Sequence, residues 1–195
     1  MKTDWQNVHS KVQEKRKKVT FNTMQIIAFG FLGVIFLGSI LLYLPISNQE
    51  PIAYLDALFV SVSAVCVTGL VTVFPAAQFT LFGKVVLLGL IQIGGLGVIA
   101  CTMAVFLAIR KKITMKSRVM IQQTYNLETL SGMVRFIIRI LKGTVLVEGI
   151  GAVLFAFHFV PEYGFIKGVA YGIFHSVSAF CNAGIDVLGT SSFME

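Results

Sequence analysis

A polar stretch over residues 1–23 gives way at Met24 to an apolar run that continues without a charge to Leu44. At 1.5 Å per residue such a run is about 30 Å long, the thickness of a bilayer core. It predicts a membrane-spanning helix, with Tyr43 at the interface and Pro45 as its stop. A second long apolar stretch, Phe79 to Ile109, predicts another span and carries Gly94-Gly95-Leu96-Gly97 near its middle. A third span is predicted over 134–159, followed by an external turn at Pro161-Glu162-Tyr163-Gly164.

Residues 52–74 are apolar enough to look like a span as well, yet their pattern argues otherwise. Asp56 lies inside the stretch. Ser61 and Ser63 lead into Val65-Cys66-Val67-Thr68-Gly69, a β-branched, glycine-containing run that disfavours a continuing helix. Charge placement decides between the two courses. Basic residues cluster in the tail (Lys2, Lys11 and Lys15 to Lys18) and again between Arg110 and Lys142. If 52–74 crossed the membrane, the two basic blocks would lie on opposite faces. If it dips in and returns, both face the cytoplasm, as the positive-inside rule requires. A re-entrant segment is therefore expected: a short helix descending from outside, then an extended return. The connector 110–133 is polar and basic, and Arg135, Arg139 and Lys142 share one helical face at the start of the third span.

A repeat strengthens this reading. Phe59-Val60-Ser61-Val62-Ser63-Ala64-Val65-Cys66-Val67-Thr68-Gly69 aligns without gaps to Phe174-His175-Ser176-Val177-Ser178-Ala179-Phe180-Cys181-Asn182-Ala183-Gly184. Each copy follows a span and a proline, Pro45 or Pro161. The unit is span, pore loop, span: complete over 24–109, partial over 134–195, with the second loop at about 169–188. Non-helical backbone is tolerated at membrane depth only where protein buries it or water reaches it. A short helix aimed inward presents its negative C-terminal end to a cation. The extended residues after it can turn carbonyl oxygens to an axis and replace an ion's hydration shell. The candidate ligands are the carbonyls of Cys66, Val67, Thr68 and Gly69 and of Cys181, Asn182, Ala183 and Gly184. Glycine at 69 and 184 permits the backbone geometry and close approach of a filter.

Composition narrows the alternatives. The 195 residues are 56% hydrophobic and 13% charged, against roughly 25% charged in a soluble domain; mean hydropathy is +0.83. The net charge of +7 flanks apolar spans, which argues for orientation in a membrane and against nucleic-acid binding. The three cysteines, Cys66, Cys101 and Cys181, have no metal-like spacing. No cleavable leader is evident in the first residues. An intramembrane enzyme would need convergent acids, bases or ligands at bilayer depth. Only Glu148 and His175 offer themselves, on different elements.

Ser-Val-Ser-Ala-Val-Cys-Val-Thr-Gly-Leu over 61–70, Leu90-Ile91-Gln92-Ile93-Gly94-Gly95-Leu96-Gly97, and the run from Phe174 to Gly184 occur in that order. Together they resemble the Trk/Ktr/HKT potassium transporter superfamily and, within it, the membrane subunit of bacterial Ktr and Trk systems. In that family four fused units surround one pore and each donates one filter glycine. The resemblance implies an all-α integral membrane protein with re-entrant pore helices, placed in the cytoplasmic membrane with its N-terminus inside. It implies potassium as the transported ion, sodium as a candidate coupling ion, and no covalent cofactor. Glycine in the first loop, where some plant relatives carry serine, goes with potassium preference. The implied partners are lipid, the missing pore repeats or further copies of the chain, and a cytosolic nucleotide-binding regulatory subunit that the basic connector would touch. The chain stops after its second loop, so it is expected either to be part of a longer product or to assemble from copies. The break inside a repeat favours the former. A non-conducting fragment and a sodium-permeable relative are the alternatives.

Other residues carry two readings each. Gly94, Gly95 and Gly97 suit close helix packing or a hinge. Glu148 is either a functional carboxylate within a span or a structural hydrogen-bonding group facing a pore helix. His175 is either functional or a buried, hydrogen-bonded side chain. Cys66 and Cys181 read as small packing residues.

Overall fold

The structure, a computed structural model, describes residues 23–97, 100–101 and 133–188. The basic tail, residues 98–99 and 102–109, the connector 110–133 apart from Met133, and residues 189–195 lie outside the described residues. Among these the protein is helical, with an isolated antiparallel bridge between Asn48 and Phe79 in place of any strand.

The first predicted span is helical, as α1, Thr23–Tyr43. Pro45, which cannot continue a helix because it has no N–H, opens a single 3-10 turn, Pro45–Ser47. The carbonyls that α1 leaves open at its end are taken up locally. The Asn48 amide donates to Leu42 O at 2.6 Å and Leu44 O at 3.0 Å, and the Ser47 hydroxyl donates to Leu41 O. Helix α2, Tyr54–Cys66, carries Asp56 in its first turn, where a carboxylate suits the positive helix end. After a loop and the short helix α3, Pro75–Gln78, comes α4, Leu81–Leu96. Thr80 caps α4 by accepting from Gly83 N at 3.3 Å and donates to Ile46 O at 2.7 Å, so α4 starts seated on the turn that ends α1.

Of the span expected over 79–109, residues 98–99 and 102–109 lie outside the described residues; helix α4 ends at Leu96, and 100–101 are helical again, with Cys101 N donating to Gly97 O at 3.2 Å. Gly97, with φ of +84°, breaks the helix there. That conformation leaves the helical region at little cost in a residue without a Cβ.

Helix α5, Met133–Tyr163, is longer than the predicted 134–159 and contains Pro161. Proline so near the end removes one intrahelical hydrogen bond, and the helix runs on to Tyr163. The expected turn of four residues shrinks to Gly164, φ +82°, before α6, Phe165–Phe180. Pro161 therefore does not close its span as Pro45 does. Helices α5 and α6 fold back on one another through small residues. A Cβ on Gly168 would come 2.6 Å from the Val160 backbone, and one on Gly172 would come 2.9 Å from Ala152 O.

One continuous core joins α1, α2 and α4 to the chain after α6, with Leu42, Val60, Leu87, Ile91, Ile185 and Val187 among its buried members. The outer surface is apolar instead of charged. Phe36, Leu37 and Ile40 on α1, and Val145, Leu146 and Leu154 on α5, are all exposed. Residues 135–163 of α5 are long and apolar enough to cross a bilayer, and only 6% of the apolar window is buried inside the protein, unlike the core helix of a soluble domain. Ile27–Tyr43, Tyr54–Cys66 and Leu81–Leu96 are shorter apolar helices. Arg135, Arg139 and Lys142 are exposed at the start of α5.

Candidate functional site

Two helix ends and the loops that leave them form the candidate site. Each loop departs in the same way. Val67 and Asn182, which occupy equivalent places in the repeat, are, among the described residues, the non-glycine residues with positive φ, at 57° and 58°. Two positions later Gly69 and Gly184 also turn left-handed, at 76° and 68°. A left-handed conformation costs an L-residue roughly 1–2 kcal/mol, so its recurrence at matched non-glycine positions marks a backbone path that the surroundings impose. The hydrogen bonds match too. Thr68 N donates to Ser63 O at 3.0 Å, and Ala183 N donates to Ser178 O at 2.8 Å.

The repeat extends into the preceding helices, where sequence alignment did not find it. Ser61 Oγ donates to Ile35 O at 2.8 Å, and Ser176 Oγ donates to Glu148 O at 2.6 Å. One turn along each helix sits a glycine, Gly38 or Gly151, whose missing Cβ makes room for that serine. Residues 39–60 separate the partners in the first unit and 152–175 in the second. The unequal connector hides the match from a gapless comparison. A glycine at similar distance before each aligned serine was the available signal.

The loops also meet. A Cβ on Gly69 would overlap the carbonyl oxygen of Ala183 and lie 3.9 Å from Gly184 Cα. Of the eight residues predicted to supply carbonyl ligands, Gly69, Ala183 and Gly184 thus meet in close backbone contact. Cys66 ends α2 and is exposed, whereas Cys181, its counterpart, is buried. Only Cys181 acts as the packing residue expected at both positions. Thr68 and Asn182 are exposed, and Ala183 is 1% exposed.

Helix α4 seats both loops. Gly94 presses on the Val65 carbonyl at the end of α2, and a Cβ on Gly95 would stand 2.6 Å from Cys181 Cβ. These two glycines serve close packing, whereas Gly97 has open space around it and serves the helix end. The Gln92 amide, on the same helix, donates to Glu148 Oε1 at 2.9 Å. Glu148 is thereby structural on both counts: its carboxylate takes Gln92 from α4, and its carbonyl takes Ser176 from α6. Gln92, a polar group within an apolar helix, carries the usual sequence signal of an intramembrane partner. His175 Nδ1 donates to Tyr171 O at 2.8 Å, while its buried Nε2 has no hydrogen-bond partner. The ring stands among Phe155, Phe159 and Phe174. It is a packed, singly bonded histidine.

Helices that turn apolar sides outward while glycine, serine and carbonyl groups pack inside define an all-helical protein suited to a bilayer. The TrkH family model, described as a cation transport protein, matches residues 5–195. The chain belongs to that family. It is 41% identical over 182 residues to the potassium/sodium uptake protein NtpJ of Enterococcus hirae, covering 92% of this chain and 40% of that protein. It is 39% identical over 171 residues to the Ktr system potassium uptake protein B of Bacillus subtilis, covering 88% of this chain and 38% of the relative. The namesake protein of Vibrio alginolyticus is 34% identical over 177 residues, with 91% and 39% covered. The chain thus spans about two-fifths of the length of these curated relatives.

Proposed function

We propose that the chain contributes two filter segments to the potassium pathway of a Ktr/Trk-type uptake system in the cytoplasmic membrane. In this reading α2 and α6 enter from outside and stop at depth, and the loops return with carbonyls of 66–69 and 181–184 along the ion path. The observation that carries it is the matched backbone of the loops, left-handed at 67 and 69 and at 182 and 184, together with the contact of Gly69 on Ala183. Carbonyl filters need such close, non-helical backbone, and the helix ends behind them favour a cation. Units 24–109 and 134–195 are then two span–loop repeats, with the tail and connector 110–133 on the cytoplasmic side. Further units or copies complete the pore. The relatives' designation as Ktr system proteins fits a membrane subunit that works with others, including a cytosolic nucleotide-binding regulator. Potassium is the cargo; no resident cofactor takes part.

The test is complementation of a potassium-uptake-deficient bacterium. Growth at low potassium that disappears with Gly69→Ser or Gly184→Ser supports the assignment, and growth that persists in both variants overturns it. Absence of growth, with the protein demonstrably in the membrane, identifies a chain that does not conduct by itself. A sodium-permeable variant of the same reading is favoured by the name of the Enterococcus relative, a potassium/sodium uptake protein. Ion-replacement flux separates the two, since equal sodium and potassium rates would select the second.

A further inference from the structure

The two loops share a backbone path, but the structure holds them differently. In the second loop Ser178, 3% exposed, donates from Oγ to the carbonyl of Ile185 at 2.7 Å, just past Gly184. Its own carbonyl holds Ala183 N at 2.8 Å. One serine therefore grips the chain on both sides of the filter glycine. Beyond it, Ile185, Val187 and Leu188 are buried at 1%, 2% and 7% exposure.

In the first loop the equivalent serine, Ser63, makes its contacts elsewhere. Its Oγ accepts from Thr68 Oγ1 at 2.9 Å, and its carbonyl holds Thr68 N. Both contacts fall before Gly69. Leu70, the counterpart of Ile185, is 63% exposed. The residues between serine and glycine differ as well: Thr68 offers its serine a hydroxyl where Ala183 has none.

We propose that Ser178 is a positioning residue that clamps the second filter segment across Gly184, so that of the two segments this chain supplies to the ion path one is fixed and one adjustable. The inference rests on the filter reading above. A carbonyl site discriminates between cations of different size by the number and field of its oxygens, and a backbone held on both sides of a ligand position resists closing around a smaller ion. Loss of the clamp should therefore act on potassium against sodium more than on the amount of folded protein.

Hydrogen exchange of the chain in lipid nanodiscs, in potassium or in sodium, tests this without requiring transport. The wild-type protein is expected to protect 183–188 more than 68–73, and potassium to protect both loops more than sodium does. Ser178→Ala should speed exchange over 183–188 by roughly three- to tenfold, the loss of one buried hydrogen bond, and shrink the potassium–sodium difference. Ser178→Thr, which keeps the hydroxyl, should restore both, and Ser63→Ala should leave 183–188 unchanged. Unchanged exchange over 183–188 in Ser178→Ala overturns the proposal, as does a uniform rise throughout the chain or an undiminished potassium advantage. If neither ion alters exchange in the wild-type loops, the filter reading itself fails and takes this inference with it.

Discussion

Gly69 and Gly184 occupy equivalent places and similar conformations, yet alanine should be far more damaging at one than at the other. Both have positive φ, +76° and +68°, so a Cβ at either costs roughly 1–2 kcal/mol in backbone strain. At Gly184 nothing lies within 4 Å of the added carbon, and strain is the whole effect. At Gly69 the carbon would overlap the carbonyl oxygen of Ala183. That oxygen belongs to the backbone of a residue whose own N–H is tethered to Ser178 O, so it cannot swing aside as a long side chain would. Overpacking of this kind adds about 1–3 kcal/mol. The expected losses are about 2–5 kcal/mol for Gly69→Ala and about 1–2 kcal/mol for Gly184→Ala. Titration with SDS in mixed micelles, followed by circular dichroism, measures both. Equal losses, or a larger one at Gly184, would refute the argument. A second check isolates its cause: because the obstruction is backbone, Ala183→Gly should not rescue Gly69→Ala, and rescue would show that the loops meet differently.

Two further outcomes follow from the packing around the loops. Ser61→Ala and Ser176→Ala each remove an interhelical hydrogen bond to a span carbonyl, and each should cost about 0.5–2 kcal/mol in the same titration; a null result at both positions would leave the repeated serine–glycine seat without energetic weight. Gly95→Ala should be destabilising and partly rescued by Cys181→Gly, which removes the Cβ and Sγ it strikes, whereas Gly94→Ala meets the Val65 backbone and no substitution at Val65 should rescue it. Double-mutant cycles on the purified chain read both differences.

What could be read from the residues, and what could not, divides along physical lines. Properties local to the chain were legible. The apolar length of α1, the stop at Pro45 and the break after Cys66 all follow from hydropathy and backbone preference, and the aligned loops do adopt one path. The break at Gly97 was legible in principle, because glycine stands in the apolar run, but hydropathy averages over a single residue and so does not register it. Pro161 misled for the opposite reason: proline usually stops a helix, but near its end the loss is a single hydrogen bond. Contacts between units left almost no linear trace. Nothing in the sequence says that Gly69 faces Ala183, that Cys181 is buried while Cys66 is exposed, or that Gln92 reaches Glu148. The repeat itself explains why. What recurs is the backbone: left-handed positions, a serine on a glycine, an amide held by the serine below it. The side chains around that frame differ between units. The Tyr54 hydroxyl pairs with Ser39 at 3.2 Å and its ring meets Tyr43 edge-on in the first, whereas His175 packs among phenylalanines in the second. A frame kept while its packing diverges is what a site made of carbonyl oxygens requires, because such a site depends on where the backbone runs and little on which side chains hold it there. The exceptions are side chains that grip the backbone directly, as Ser178 does on both sides of Gly184.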